Sequence, residues 1–185
     1  MRTMIGKYKS AVAALLIAAL AGPVLAQDAG EDLLAQLRTA EDAQAAERLE
    51  RQLRREWAKS GSPTMDFLLK RGQDALETGD LEAAIAHLGA LTDHAPEFAE
   101  GWHALALAYF RAERIGLAAD ALERTLALNP QHFGALRGLG AILEQVDRPK
   151  LAYDAFSRVL TLRPHDPGAT AALERLERQV SGTSL

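Results

Sequence analysis

From residue 96 to 130 the chain reads PEFAEGWHALALAYFRAERIGLAADALERTLALNP, two Ala- and Leu-rich runs split by Glu113-Arg114 and bounded by prolines. Each run suits a helix of three to four turns, and the break between them suits a tight turn that folds one helix back on the other. The same arrangement recurs on either side. Breaks fall at Thr78-Gly79-Asp80 and at Asp147-Arg148-Pro149, with Pro149 placed as a first-turn helix residue. Ala and Leu dominate and β-branched residues are scarce, which favours helix over sheet.

The runs repeat with a period of 34 residues. Pro96, Pro130 and Pro164 share that spacing, as do Ala84, Ala118 and Ala152; Leu88, Leu122 and Phe156; and Leu68, Trp102 and Leu136. The pattern resembles the tetratricopeptide repeat (TPR) family, W-x2-L-G-x2-Y, then A-x3-F, then P. The middle copy carries Trp102, Leu105, Ala106, Tyr109, Ala118, Leu122 and Pro130. The third carries Leu136, Leu139, Gly140, Leu143, Ala152, Phe156 and Pro164, and the first Leu68, Arg71, Gly72, Ala75, Ala84, Leu88 and Pro96. Arg71 stands where the family has Leu. Gly72, Ala106 and Gly140 with Ala84, Ala118 and Ala152 are the small residues at which paired helices cross closely. The expected fold class is an all-α TPR solenoid of antiparallel helix pairs, with an N-terminal helical extension and a C-terminal capping helix. Its repeats span 64–97, 98–131 and 132–165.

Both ends of a solenoid need cover. After Asp166-Pro167 a capping helix over 166–180 presents Ala169, Ala172, Leu173, Leu176 and Val180 inward, keeps Glu174 and Glu177 outward, pairs Glu174 with Arg178, and leaves 181–185 as a tail. The extension, 27–63, predicts one helix around Leu33, Leu34 and Leu37. A second, capped near Thr39 and Asp42, carries Ala46, Leu49, Leu53 and Trp57 along one stripe. The first reading is a degenerate hairpin packed on the first repeat; the other is a free amphipathic helix for a partner or a second copy. The charged run ERLERQLRREW reads as a solvated face.

Composition adds a location. Arg2, Lys7 and Lys9, then AVAALLIAAL, then AGPVLA with helix-breaking Gly22 and Pro23, have the order of a secretory signal peptide over 1–26, cleaved after Ala26. The apolar run is interrupted too early for a membrane anchor, so no stable membrane insertion is expected after cleavage. The protein is expected to be exported, and periplasmic in a Gram-negative source. The full chain's net charge of −4 becomes −7 once the three signal-peptide cations are gone. Such a surface repels nucleic acid. The chain has no cysteine, which excludes disulfides and thiolate sites.

No catalytic constellation emerges, and no metal or cofactor is expected. The histidines form no HxxxH or HExxH pair, although His94, His132 and His165 fall near repeat ends. The resemblance implies a concave groove lined by Asp66, Leu69, Gln73, Leu76 and Glu77; by Glu100, His103, Leu107, Phe110 and Arg111; and by Arg137, Ala141, Glu144 and Gln145. For Leu76 and Phe110, packing between repeats is an equal alternative. The carboxylate-clamp positions of chaperone-binding relatives hold Leu69, Gln73, Ala104, Gly134 and Gly138, so that clamp is absent. The expected function is a non-enzymatic scaffold binding a protein or peptide partner in the groove. Exported relatives assist envelope tasks such as protein assembly or division. The alternative is a self-associating module, a homodimer formed through the N-terminal helices or a repeat end.

Overall fold

The computed structural model describes residues 22–182, with side chains over 29–179. Among the described residues there are nine helices and no strand: α1 (Gly22–Arg38), α2 (Ala43–Trp57), α3 (Pro63–Thr78), α4 (Leu81–His94), α5 (Ala99–Arg111), α6 (Ile115–Leu128), α7 (Phe133–Gln145), α8 (Pro149–Leu162) and α9 (Pro167–Gly182). Helices α3–α4, α5–α6 and α7–α8 are the three repeat pairs, and α9 packs on α8. Within the expected tail, Ser181 and Gly182 continue α9.

Local chemistry sets the helix ends. Asp42, Asp80 and Asp166 each accept a bond from the backbone N–H three residues on, at 2.7, 3.0 and 2.8 Å. The turn inside each pair uses one left-handed residue, Gly79, Glu113 and Asp147, with φ of 78°, 60° and 57°. These three are again 34 residues apart, so the repeat extends to backbone conformation.

Small residues set the crossing distance. A Cβ on Gly72 would lie 2.3 Å from Leu88 Cγ, and one on Gly140 would lie 3.0 Å from the Phe156 ring. Ala84, Ala118 and Ala152 opposite them are fully buried. A second periodic device joins neighbouring repeats: Arg124 donates to Pro96 O at 3.4 Å, and Arg158 donates to Pro130 O at 3.3 Å. Arg71, the departure from the family pattern, stays exposed with its guanidinium 6.0 Å from the Phe67 ring centroid.

The N-terminal hairpin lies elsewhere than expected. Leu34, Leu37, Ala46 and Leu53 share one core with Phe133, Leu136, Ala152, Phe156 and Val159 of the third repeat and with Ala169, Ala172 and Leu176 of the cap. While Ala58, just after α2, packs on the core of the first two repeats, the apolar stripe of α1 and α2 packs on the third repeat and cap rather than on the first repeat. Polar bonds fix it there: His165 Nε2 donates to Ala40 O at 2.9 Å, Arg38 donates to Gln131 Oε1 at 2.8 Å, and Arg163 meets Glu50 at 2.6 Å. Burying each of the three leucines contributes about 1.5–3 kcal/mol, so the hairpin is part of the folded body. Its stripe is covered by its own chain rather than left free for a second copy.

One further expectation needs correction. Glu50, inside the run read as solvated, is buried. Gly22 and Pro23 lie in the first described turn of α1, Gly22–Arg38. The expected cleavage point after Ala26 falls inside α1. Residues 1–21 of the expected signal lie outside the described residues. Among the described residues, no helix is long and apolar enough to cross a membrane.

Candidate functional site

The first helices of the repeats, α3, α5 and α7, carry the expected groove residues, and these have separate tasks. Leu69 and Leu76 are core residues, buried between the first two repeats, and line no groove. Their positions face the neighbouring helix as much as the concavity. Asp66 ties down the chain ahead of α3, accepting from Ser60 N at 2.8 Å and from Ser60 Oγ at 2.6 Å. Arg111 donates to Leu76 O at 2.8 Å and so links two repeats. Glu144 accepts a bidentate pair from Arg175 at 2.6 and 2.7 Å, holding the cap to the third repeat. Among the described residues, that pair, rather than Glu174 with Arg178, is the ion pair on α9. Gln73 is half-buried, while Glu77 and Gln145 are exposed.

Five of the expected residues do converge. His103, Leu107, Phe110, Arg137 and Ala141 line a cavity of about 310 Å³ between α5 and α7. Leu107 and Phe110 are each 40% exposed and line this cavity, so Phe110 faces the groove instead of packing between repeats. The rest of the lining is Gly134 and Gly138, which the sequence placed at clamp positions, and Arg54 from α2, Ala106, Leu122 and Ile142, which sequence reasoning missed. Gly134 and Gly138, one helical turn apart on α7, leave the cavity open where side chains would otherwise project. Arg54 carried no signal beyond membership of a charged run.

Beside this cavity the loop edge holds a buried polar cluster. His132 Nε2 lies 3.0 Å from Glu100 Oε2, and His103 Nδ1 lies 3.5 Å from Glu100 Oε1. The two imidazoles are 4.3 Å apart, and Trp57 stacks on His132 at 4.6 Å. His132 also caps α7, its Nδ1 accepting from Ala135 N at 3.1 Å. That bond leaves the lone pair on Nδ1 and puts the proton on Nε2, which donates to Glu100. Burial holds the His132 imidazole below its ordinary value, outweighing the Glu100 carboxylate, so the ring is neutral. Burial of Glu100 opposes its charge, yet the bonds from His103 and His132 prevail and hold the carboxyl at about 2.

Glu100, His103 and His132 place three ligand-type atoms within 4.8 Å, but the cap argues against a metal. A metal-bound histidine donates through its second nitrogen, whereas the second nitrogen of His132 faces an N–H donor. The trio is a hydrogen-bonded latch that seats Trp57, and with it the end of α2. A second, open cavity of about 590 Å³ lies along the same edge between Trp57, Phe98 and His132.

Known proteins share this architecture. The family model described as Tetratricopeptide repeat matches residues 69–121 and 103–167, together more than half of the chain. A TPR repeat-containing protein of Rhizobium etli is 32% identical over 113 residues, 61% of this chain. The chain spans 55% of that relative's length. The first TPR of Spaghetti bound to the HSP90 peptide SRMEEVD superposes with a TM-score of 0.61 at 24% identity, covering 63% of this chain and 93% of that one. The Yersinia enterocolitica type III secretion chaperone SycD, in complex with a peptide of the translocator YopD, gives 0.59 at 14% identity, covering 64% and 95%. The matched model and the three periodic helix pairs agree: this chain belongs to the tetratricopeptide repeat family.

Proposed function

We propose that this protein is an exported, non-catalytic adaptor whose concave face holds a segment of a partner protein in the cell envelope. One observation carries the reading: Leu107 and Phe110 stand exposed over an apolar cavity on the face formed by α5 and α7. Exposed apolar side chains in a groove on a rigid scaffold are the usual means of anchoring a peptide or helix. Two solved TPR structures of similar fold hold peptides of their own partners, which supports the same use here. The basic, apolar, small-residue order of residues 1–26 supports export, and periplasmic residence in a Gram-negative source.

Self-association through the N-terminal helices receives no support, because their apolar stripe is already buried against the third repeat and cap. The test is crosslinked capture from envelope extract with the 27–185 protein beside a Leu107→Glu, Phe110→Ser variant that keeps its helical circular dichroism. A partner captured by the wild type and lost from the variant supports the groove. Equal capture by both contradicts it. N-terminal sequencing of the mature protein tests export, with Gln27 as the expected first residue.

A further inference from the structure

The cavity between α5 and α7 has an apolar floor of Leu107, Phe110 and Ile142, and its polar lining is basic. Arg54 and Arg137 line it beside His103, and no acidic side chain does. This occurs in a chain whose net charge is −4, so the local sign is opposite to that of the molecule.

The reason lies behind the cavity. Arg54, Arg163 and Arg137 share two carboxylates, Glu50 and Asp166. Glu50 meets Arg54 at 2.7 Å and Arg163 at 2.6 Å, while Asp166 meets Arg163 at 2.8 Å and Arg137 at 3.4 Å. Asp166 also accepts the Ala169 N–H at 2.8 Å. Three cations against two anions leave one positive charge over. Arg163 is buried at the centre, whereas the side chains of Arg54 and Arg137 are 47% and 42% exposed. The excess charge is therefore presented at the cavity. Its two donors come from elements far apart in sequence, one on the N-terminal hairpin and one on the third repeat.

We infer that this cavity receives an acidic-apolar segment of a partner protein, its carboxylate held by Arg54 and Arg137 and a neighbouring large apolar side chain seated on Leu107 and Phe110. The inference rests on the concave face being the binding face. It adds the chemistry of what is bound, and it makes the docked N-terminal hairpin part of the site. Charge-assisted bonds to a guanidinium are the strong class of hydrogen bond, and an apolar floor limits competition from water. The carboxylate is that of an Asp or Glu side chain, because the positions that hold a C-terminal carboxylate in chaperone-binding relatives are Leu69, Gln73, Ala104, Gly134 and Gly138 here.

The experiment selects a phage-displayed library of random dodecapeptides on the 27–185 protein, then resynthesises the enriched peptides for fluorescence anisotropy. The expected peptides pair Asp or Glu with Leu, Ile, Met or Phe. Their binding should weaken at least about tenfold in Arg137→Gln and in Arg54→Gln. It should recover in part in Arg137→Lys and fall steeply with salt. Replacing the peptide's acidic residue by its amide should remove the dependence on the two arginines, whereas amidating its C-terminus should not; the reverse result overturns the inference. Arg137→Gln is expected to fold, since its bond to Asp166 is long and Arg163 still serves that carboxylate; an unchanged melting temperature verifies this. Peptides that lose binding in Leu107→Glu yet carry no Asp or Glu, or ignore both arginine variants, overturn the inference and leave the groove reading in place. No enriched peptide, or binding that survives Leu107→Glu, overturns both.

Discussion

Arg163 Nη2 and Glu50 Oε2 lie 2.6 Å apart, joining the end of the third repeat to the second helix of the chain, with both side chains about 90% shielded from solvent. This ion pair and the apolar core that the hairpin shares with the third repeat and cap together fix where the hairpin docks. Breaking a buried pair by removing one partner leaves an uncompensated charge, at a cost of about 3–5 kcal/mol. Arg163 is already short of partners, since its Nε is buried without a hydrogen bond. Glu50→Ala is therefore expected to lower stability by about 3 kcal/mol and to loosen the hairpin. Urea denaturation reads the first effect. A red shift of Trp57 emission, as that ring leaves His132, reads the second.

Acidification should destabilise the protein in two stages. His132 is held below its ordinary value by burial, so the unfolded chain takes up this proton first, and stability falls as pH drops below about 6.5. Glu100 is held at about 2, so its contribution is complete above about pH 4.5 and is lost as pH falls toward 2. Chemical denaturation at about pH 7.5, 5.5, 4 and 2.5 should show this decline. In Glu100→Gln the second stage should vanish, while the protein is less stable at neutral pH.

The left-handed turn column offers a sign test. Glu113 and Asp147 hold φ values of 60° and 57°, where a side chain costs roughly 1 kcal/mol that glycine avoids. Glu113→Gly and Asp147→Gly are expected to leave the melting temperature unchanged or raise it by about 2–4 °C. Gly79→Ala, at the equivalent turn, should lower it by a similar amount.

The close helix crossings should be intolerant of added volume. Gly72→Ala puts a methyl group 2.3 Å from Leu88 Cγ, and Gly140→Ala puts one 3.0 Å from Phe156. Over-packing of this kind costs about 1–3 kcal/mol, with Gly72 the more severe. Gly89→Ala, with nothing within 4 Å of the added carbon, is the control and should be neutral or stabilising.

Much of this fold was legible in the sequence because the repeat forces the same residue type into the same contact. Proline at 96, 130 and 164 and alanine at 84, 118 and 152 are sufficient to place six helices. The docking of the hairpin was not legible. The stripe of Ala46, Leu49, Leu53 and Trp57 shows that α2 is buried on one side, but not by what, and Phe133 and Arg163 occupy no family column. Leu69 and Leu76 show the same limit from another direction. A first-helix position can face the groove or the next helix, and side-chain packing decides between them. Arg54 entered the cavity only once the hairpin was in place.

Site-specific photocrosslinking in living cells tests the groove most directly. A photoreactive residue is placed at Leu107, on the concave face, or at Leu151, exposed on α8. A discrete adduct with a partner protein is expected from position 107 and none from position 151. An adduct from position 151 alone, or from neither position, would contradict the assignment of the concave face as the working surface.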